Sequence, residues 1–173
     1  MSPAIPLRHR NILALGVSAI ALLLVPACLS IMPRLVWNAT ASAPIGLYAI
    51  QAPATARTGD MVLAWTPASV RALAAARRYI PSNVPLIKRI AAGPGDTICA
   101  RGFGIFIDGR HVAQRRLADG RGRALPWWTG CRMLRAGEYF LLMTENPNSF
   151  DGRYFGPVPL SSILGRATLL WRA

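Results

Sequence analysis

The chain has 173 residues, which gives room for one domain with an appendage and excludes a larger multidomain architecture. Its hydrophobic fraction of 53% and mean hydropathy of +0.32 are high for a soluble domain. The net charge of +13 fits an arginine-rich solvated surface or attraction to anionic lipid head groups. No helix-turn-helix, zinc-finger or aromatic RNA-binding pattern accompanies the arginines in the sequence, so no nucleic-acid partner is expected.

The first predicted element is an uncharged apolar run from Ile12 to Met32, ILALGVSAIALLLVPACLSIM. A helix needs about 20 such residues to cross the hydrocarbon core of a bilayer, and Pro26 is tolerated in a membrane helix. Arg8 and Arg10 before the run indicate a cytoplasmic N-terminus by the positive-inside rule. The predicted organisation is a cytoplasmic basic segment at 1–11, a transmembrane anchor at 12–33 and a domain outside the cytoplasm at 34–173.

Two other interpretations of this run remain open. The run is longer than the ~7–15 apolar residues of a signal-peptide core, which favours a retained anchor over a cleaved secretory signal. The sequence VPAC puts the small Ala27 before Cys28, as at a lipoprotein processing site, but Pro26 suits such a site poorly. Cys28 is more simply a residue of the membrane helix.

Beyond the anchor, the sequence predicts a mostly β domain with one short soluble helix. A bend at Pro44 precedes the first strand, and Met61 to Trp65 is a second strand. Thr66 is a good cap residue and Pro67 suits a first helical position. The helix is predicted to continue from Ser69 to Tyr79.

The second half of the domain is predicted to consist of strands and loops. Val84 to Ala92 is an extended apolar run, and Asp108-Gly109 between apolar alternations is a strong hairpin signal. Polar and glycine-bearing residues at 115–126 predict a surface loop, and the Pro, Asn and Gly content of 144–159 predicts another loop. EYFLLM and ATLLW are the last two predicted strands.

Two pairs of residues leave alternatives open. In an oxidising compartment Cys99 and Cys131 could form a disulfide that closes a long loop, contributing about 3–4 kcal/mol through the unfolded state. Two free buried thiols are the alternative, and the expected export favours the bond. Trp127 and Trp128 could line a substrate groove, belong to the core or rest on the bilayer interface.

Lysine occurs once in this chain, as Lys88 in VPLIKRIAAGPGD, among a total of 20 Lys and Arg. An Arg side chain stays protonated at accessible pH, whereas burial lowers a lysine pKa by up to about 3–5 units. A surface lysine on an edge strand is the alternative interpretation. Since this chain otherwise uses Arg for positive charge, the neutral amine is what Arg could not supply, and Lys88 is a candidate general base.

A general base needs a nucleophile, and the candidate is the hydroxyl of Ser42. The stretch NATASAPIGLY carries Ser42 shortly after the anchor, among small residues that let a substrate backbone approach. Neither His9 nor His111 lies in a context that suggests a serine–histidine triad. An ordinary loop serine is the alternative for this stretch taken alone.

Four segments resemble the type I signal peptidase superfamily of serine–lysine proteases, in particular its TraF-type conjugal-transfer branch. They are SAPIG, GDMVLAW, LIKRIAAGPGD and NPNSFDGRYFGPVP, in this order behind the apolar run. The resemblance covers nearly the whole chain and is most specific at 88–96 and 149–156. It implies a catalytic domain with the signal-peptidase/LexA-like β-fold. No metal motif or phosphate-binding loop is present in the sequence, so no cofactor is expected.

The same resemblance implies roles for individual residues. Ser42 is the nucleophile, and Lys88 is the general base and later the acid. The Thr40 hydroxyl helps the Ser42 backbone N–H to stabilise the oxyanion, and the Ser149 hydroxyl orients the lysine amine.

Asp151 and Arg153 match an acidic–basic pair that braces the site in that superfamily. Taken alone, the two side chains could equally be an ordinary surface pair, which would contribute little to stability.

Three departures from the signal-peptidase pattern favour the transfer branch. Ser42 is followed directly by Ala43-Pro44 instead of methionine, a variable residue and proline; Ala92 replaces a usual glycine; and TEN stands where leader-peptide enzymes have Gly-Asp-Asn. In the transfer branch the substrate is typically a pilin precursor. Either water or the substrate's own N-terminal amine can resolve the acyl-enzyme, and the amine gives a cyclic pilin.

The predicted protein is therefore a single-pass serine endopeptidase of the bacterial cytoplasmic (inner) membrane with its catalytic domain in the periplasm. Its expected partners are the membrane, a pilin precursor or another exported preprotein, and other conjugative transfer proteins. A general type I signal peptidase that removes leader peptides is the first alternative. A non-catalytic, basic pilus-assembly or membrane-surface protein with the same β-fold is the second.

Overall fold

The computed structural model describes residues 15–20, 34–53 and 56–173, and it divides the chain into two units, Met1–Pro33 and Arg34–Ala173. In the first unit, residues 15–20 are helical and exposed, and the rest of the anchor predicted at 12–33 lies outside the described residues. Among the residues described, no helix has both the length and the apolar character needed to cross a membrane.

The described part of the second unit is mostly β, as the sequence predicts. Its strands are β1 (Leu35–Asn38), β2 (Gly46–Gln51), β3 (Met61–Ala64), β4 (Leu86–Ala92), β5 (Thr97–Arg101), β6 (Gly104–Ile107), β7 (Arg110–Gln114), β8 (Gly130–Met133), β9 (Glu138–Leu141), β10 (Val158–Pro159) and β11 (Ile163–Arg172). Its helices are α1 (Ala68–Ala76), the single turn α2 (Gly152–Phe155) and a 3-10 turn at Leu160–Ser162.

The strands form two antiparallel sheets. The larger sheet has the order β1-β2-β11-β3-β4-β9-β10, and the smaller has the order β7-β6-β5-β8. The last strand, β11, lies between β2 and β3, so both ends of the unit are built into one sheet. Strand β4 lies in the interior of that sheet, with β3 on one side and β9 on the other.

The side chains of β4 alternate between the two faces of the sheet, as the pleat requires. Leu86 and Ile90 pack in an apolar cluster with side chains of β3, β9 and β11. Lys88 points to the same face and is only 2% exposed, whereas Arg89 points to the other face and is half-exposed. The alternative of a surface lysine on an edge strand is therefore wrong.

The soluble helix lies where the sequence predicts it but has different ends. Arg78 adopts a left-handed backbone with φ of 59°, and the Tyr79 N–H donates to the Ala74 carbonyl at 2.9 Å. This closing turn ends α1 before the predicted end at Tyr79. The predicted cap is also wrong: Pro67 is the N-cap residue, and the buried Thr66 hydroxyl has no hydrogen-bond partner within the described part of the chain.

In the smaller sheet, the turn residues Asp108 and Gly109 predict the hairpin correctly. Asp108 and Gly109 both have positive φ, 48° and 79°, which is the backbone of the two-residue hairpin turn that joins β6 to β7. The sequence patterns do not predict strands β1, β5 and β8, and the two-residue strand β10 falls within the loop predicted at 144–159. All four residues of β8 are exposed, so this strand has no alternating pattern to detect.

A disulfide joins Cys99 of β5 to Cys131 of β8. The two cysteines are direct partners in the antiparallel register, so the bond links the exposed edge strand β8 to the buried strand beside it. The bond spans 32 residues of chain. It therefore restricts a long loop in the unfolded state.

We predict that replacing both cysteines, Cys99→Ala with Cys131→Ala, lowers the free energy of unfolding by about 3–4 kcal/mol, the value expected for closing a loop of this length. Urea denaturation of the full-length protein measures this change. Wild-type protein treated with a reductant should show the same loss, which serves as the control. A loss below about 1 kcal/mol in both samples would contradict the assignment of a stabilising bond.

Candidate active site

The amine of Lys88 is buried in the larger sheet and held by one hydroxyl. Its Nζ donates a hydrogen bond to Ser149 Oγ at 2.8 Å, and Ser149 is itself 1% exposed. Burial lowers the pKa of Lys88 to about 8, against an opposing increase from the Asp151 carboxylate and a smaller decrease from Arg153. The neutral form of the amine is therefore well populated at mildly alkaline pH.

Ser42 lies in the segment between β1 and β2, and its hydroxyl contacts the hydroxyl of Thr40. The two oxygens are 3.2 Å apart. The Thr40 hydroxyl donates its single proton to Asn38 Oδ1 at 2.9 Å, so Thr40 accepts from Ser42 in the 3.2 Å contact. Thr40 and Ser42 are thus brought together, with Ser42 as the donor.

Asn38, at the end of β1, is a residue that the sequence analysis missed. It is 7% exposed and hydrogen bonds to several groups of the segment that carries Ser42. Asparagine after a short strand is a common turn residue, so its presence in WNATAS was no signal of a special role.

Asp151 and Arg153 form a buried, doubly hydrogen-bonded ion pair. Arg153 Nε lies 2.8 Å from Asp151 Oδ1, Nη2 lies 3.1 Å from Oδ2, and both side chains are at most 1% exposed. The remaining guanidinium protons reach backbone carbonyl oxygens of Gln114, Met143, Asn146 and Pro147. The interpretation of these two residues as an ordinary surface pair is therefore wrong.

The same carboxylate begins the one-turn helix α2, so the prediction of loop throughout 144–159 is wrong at this point. Asp151 is the N-cap residue and accepts from the Arg153 N–H. Gly152 lets the turn lie directly against β9, because an added Cβ would stand 2.6 Å from the Leu141 carbonyl oxygen. This close approach fixes where Ser149 and Asp151 meet the sheet.

Ser42, Thr40 and Lys88 all line one cleft of about 520 Å³. Its other walls are largely apolar or aromatic and include Ile80, Leu86, Leu125 and Phe150. The cleft is large enough for an extended peptide segment of a few residues, and its chemistry favours apolar side chains.

The loop predicted at 115–126 forms part of the cleft wall and is tied to the end of α1. The Tyr79 hydroxyl donates to Asp119, and this bond holds the pKa of the Asp119 carboxyl well below its usual range. Arg123 bonds to the same carboxylate at 2.7 Å, and Arg77 donates to the Ala124 carbonyl. Tyr79 and Asp119 are cleft residues that sequence reasoning did not find.

Neither Trp127 nor Trp128 lines this cleft. Trp128 packs against the buried cluster beneath the smaller sheet and donates from Nε1 to the Gly152 carbonyl at 3.0 Å. Trp127 covers the guanidinium of Arg115, whose Cζ lies 3.5 Å from the ring centre. Arg115 is 2% exposed, so the predicted surface loop begins with a buried residue.

The arrangement places a hydroxyl and a buried amine on one cleft, which suits acyl transfer at a peptide carbonyl. Ser149 takes one N–H of the amine and leaves the nitrogen lone pair of a neutral Lys88 available for a proton. Over residues 15–20, 34–53 and 56–173, no cluster of three or more His, Cys, Asp or Glu side chains could hold a metal ion.

Comparison with known proteins gives a family match and similar relatives. The family model described as signal peptidase, peptidase S26, matches residues 9–172. The chain is 33% identical to the probable conjugal transfer protein TraF of Sinorhizobium fredii, over 75% of this chain and 73% of that protein. It is also 33% identical to the plasmid transfer protein TraF of Escherichia coli, over 78% and 82%.

Similarity to the signal peptidase I V of Bacillus subtilis is 30% identity over 49% of this chain and 56% of that protein. The family match extends along nearly the whole chain, and the two TraF similarities cover more than two thirds of both sequences. The resemblance seen in the sequence is therefore confirmed, and the chain belongs to the signal peptidase family, peptidase S26.

Proposed function

We propose that this protein is a serine endopeptidase in which Ser42 is the nucleophile and Lys88 is the general base. The observation that carries the proposal is the single lysine of the chain, buried with its amine on Ser149 and lining the same cleft as Ser42. Membership of a peptidase family supports the reaction class.

In the first step, neutral Lys88 accepts the proton of the Ser42 hydroxyl while Ser42 Oγ bonds to the carbonyl carbon of the scissile peptide. The carbonyl electrons move to oxygen, and the Ser42 backbone N–H with the Thr40 hydroxyl stabilises this oxyanion. The tetrahedral intermediate then collapses, the C–N bond breaks, and the Lys88 ammonium gives its proton to the leaving amine. An acyl-enzyme ester on Ser42 remains.

The second step resolves the ester by the same groups in reverse. Lys88 removes a proton from an incoming water or amine, the ester carbonyl is attacked, and Ser42 leaves with the proton returned by Lys88. Asp151 and Arg153 take no proton in this scheme. They hold the chain on either side of Ser149, since Arg153 also binds the carbonyl oxygens of Met143 and Asn146.

The substrate we propose is a conjugative pilin precursor, which the protein cleaves during assembly of a transfer pilus. Either water or the substrate's own amine then resolves the acyl-enzyme. The similar proteins of Sinorhizobium fredii and Escherichia coli carry the names conjugal and plasmid transfer protein, which supports this class. A general signal peptidase is the second candidate, favoured by the similarity to the Bacillus subtilis enzyme. A non-catalytic pilus-assembly or membrane-surface protein with this fold is the third.

We also propose that the apolar run at 12–33 anchors the protein in the cytoplasmic membrane with Arg34–Ala173 in the periplasm. The support is the uncharged sequence with basic residues before it, together with the Cys99–Cys131 disulfide, which is typical of an oxidising compartment. In this arrangement other transfer proteins of the same membrane are expected partners.

Replacing the amine should abolish processing. We expect Lys88→Met, which keeps an unbranched apolar chain and lacks the amine, and Lys88→Arg each to reduce cleavage by about 10²–10⁴-fold, the contribution typical of a general base. Cleavage of the pilin precursor by purified full-length protein is the measurement. Ser42→Ala should be equally inactive.

The matched control for this prediction is Arg89→Lys, the next residue of β4 on the opposite face, which should cleave at the wild-type rate. Wild-type activity in Lys88→Met would contradict the serine–lysine mechanism. If the protein is instead non-catalytic, none of these samples should show cleavage that depends on Ser42.

The rate should depend on pH through the lysine. Since the active form is the neutral amine and burial lowers the pKa of Lys88 to about 8, kcat/KM should rise with pH and level off above that value. The profile is measured with the same precursor between pH 6 and 10, a range chosen around the pKa of about 8. If the rise of kcat/KM has its midpoint near 10.5, the ordinary pKa of lysine, the assignment of buried Lys88 as the base is contradicted.

The mass of the product distinguishes the two resolving nucleophiles. Attack by the substrate's own amine gives a cyclic chain that lacks one water relative to the linear cleaved chain, whereas hydrolysis gives the linear mass. We expect the cyclic mass in cells that contain this protein and only uncleaved precursor in cells with Ser42→Ala. A linear product from the wild type would instead favour hydrolysis and the signal-peptidase alternative.

A further inference from the structure

Asn38 makes several hydrogen bonds with the segment that carries Ser42, and the proposed reaction assigns it no role. Its Nδ2 group lies 3.0 Å from the Thr40 carbonyl oxygen, 3.1 Å from that of Ala43 and 3.0 Å from that of Pro44. Its Oδ1 accepts from the Thr40 N–H at 3.2 Å and from the Thr40 hydroxyl at 2.9 Å. One buried side chain therefore bonds to both sides of Ser42.

The orientation of this amide follows from its partners. Carbonyl oxygens only accept and a backbone N–H only donates, so the nitrogen of Asn38 must face the three carbonyls and the oxygen must face Thr40. The Thr40 hydroxyl then has to donate to Asn38 Oδ1, which cannot donate in return. The oxygen of the Thr40 hydroxyl can then only accept, and it accepts the proton of the Ser42 hydroxyl.

This arrangement has a consequence for catalysis. In the absence of substrate the proton of Thr40 is directed at Asn38, and the proton of Ser42 is directed at Thr40. Attack requires the Ser42 proton to turn toward Lys88, and oxyanion stabilisation requires the Thr40 proton to turn toward the substrate. A charged oxyanion is a stronger acceptor than a neutral amide oxygen, so it can draw the Thr40 proton away from Asn38.

We propose that Asn38 is a positioning residue for the nucleophile: it fixes the backbone of residues 40–44 through its amide nitrogen and holds the Thr40 hydroxyl through its oxygen until the oxyanion forms. The proposal rests on the proposed function, because it assigns Asn38 a task in the reaction of Ser42. It differs from a purely structural role, since the loss is expected in the chemical step.

Three variants test the proposal with the pilin precursor as substrate: Asn38→Ala, Thr40→Val and the two together. We expect Asn38→Ala to lower kcat by about 30- to 100-fold, as for a small misplacement of a reacting group, with KM changed less than about threefold. The pH midpoint of kcat/KM should stay at the wild-type value, because Ser149, Asp151 and Arg153 around Lys88 are untouched. The double variant should lose at least tenfold less than the product of the single losses.

A stability control separates positioning from general weakening of the fold. The variant that lacks Cys99 and Cys131 removes a bond in the smaller sheet, and neither cysteine lines the cleft. This cysteine variant should be less stable than the wild type yet keep kcat within about twofold of the wild-type value. The assay temperature lies below the unfolding midpoints of this variant and of Asn38→Ala. Equal loss of kcat in this variant and in Asn38→Ala would overturn the proposal, as would multiplicative losses in the double variant.

Amide hydrogen exchange of a peptide that covers residues 39–44 gives a readout that does not depend on activity. Asn38→Ala should raise its exchange rate at least tenfold, with no change in strand β4. Unchanged exchange in Asn38→Ala overturns the positioning role. If wild-type cleavage depends on Ser42, a kcat of Asn38→Ala within threefold of the wild-type value overturns it as well. Absence of Ser42-dependent cleavage in the wild type overturns the proposed function instead, and in that case the exchange result alone decides whether Asn38 holds the segment.

Discussion

The constraint on which the site depends is the burial of one amine in the middle of a sheet. Lys88 occupies an interior strand, and the face it shares with Leu86 and Ile90 is otherwise apolar, so its charged form is disfavoured. A fully apolar surround would leave the amine without a partner, and a close acid would keep it charged. The protein uses a neutral hydroxyl as the direct contact, Ser149 Oγ at 2.8 Å, while the Asp151 charge acts from further away. The resulting pKa of about 8 lets the amine change its charge near the pH at which a general base works best.

The ion pair of Asp151 and Arg153 explains how that hydroxyl is kept in place. A buried pair is costly unless its hydrogen-bonding groups are satisfied. Here the carboxylate also accepts from the Met143 N–H, and the guanidinium binds the backbone carbonyls of Met143 and Pro147, which precede Ser149. Because each of these bonds crosses between β9, the turn after it and α2, the pair fixes the loop on the sheet. Gly152 is part of the same solution, since only a residue without Cβ fits against the Leu141 carbonyl.

The features predictable from the sequence are those with a local cause. The apolar run of β4, the Asp108-Gly109 hairpin and the mostly β character follow from patterns within a few residues, and the buried lysine follows from the choice of residue type. The misses have causes that lie elsewhere in the chain. Strand β8 is exposed at every position and is held by its register and disulfide with β5. The helical turn Gly152–Phe155 forms where Asp151 caps it and accepts from the Met143 N–H beside β9. Asn38 was missed because four of its five hydrogen bonds are to backbone groups, which leave no mark on the sequence.

The two halves of the site differ in how they are held. Two charged side chains, Asp151 and Arg153, act on Lys88 from beyond its direct contacts, and the charge of Lys88 itself changes with pH. The segment of Ser42 is held by Asn38 and Thr40, whose side chains carry no charge at any accessible pH. A change of pH therefore changes the charge of the base and not that of the Asn38 and Thr40 side chains. The two halves meet at Asn146, whose Nδ2 donates to the Ala41 carbonyl at 2.9 Å and whose own carbonyl accepts from Arg153. The ion pair beside Lys88 therefore also helps to hold the segment that carries Ser42.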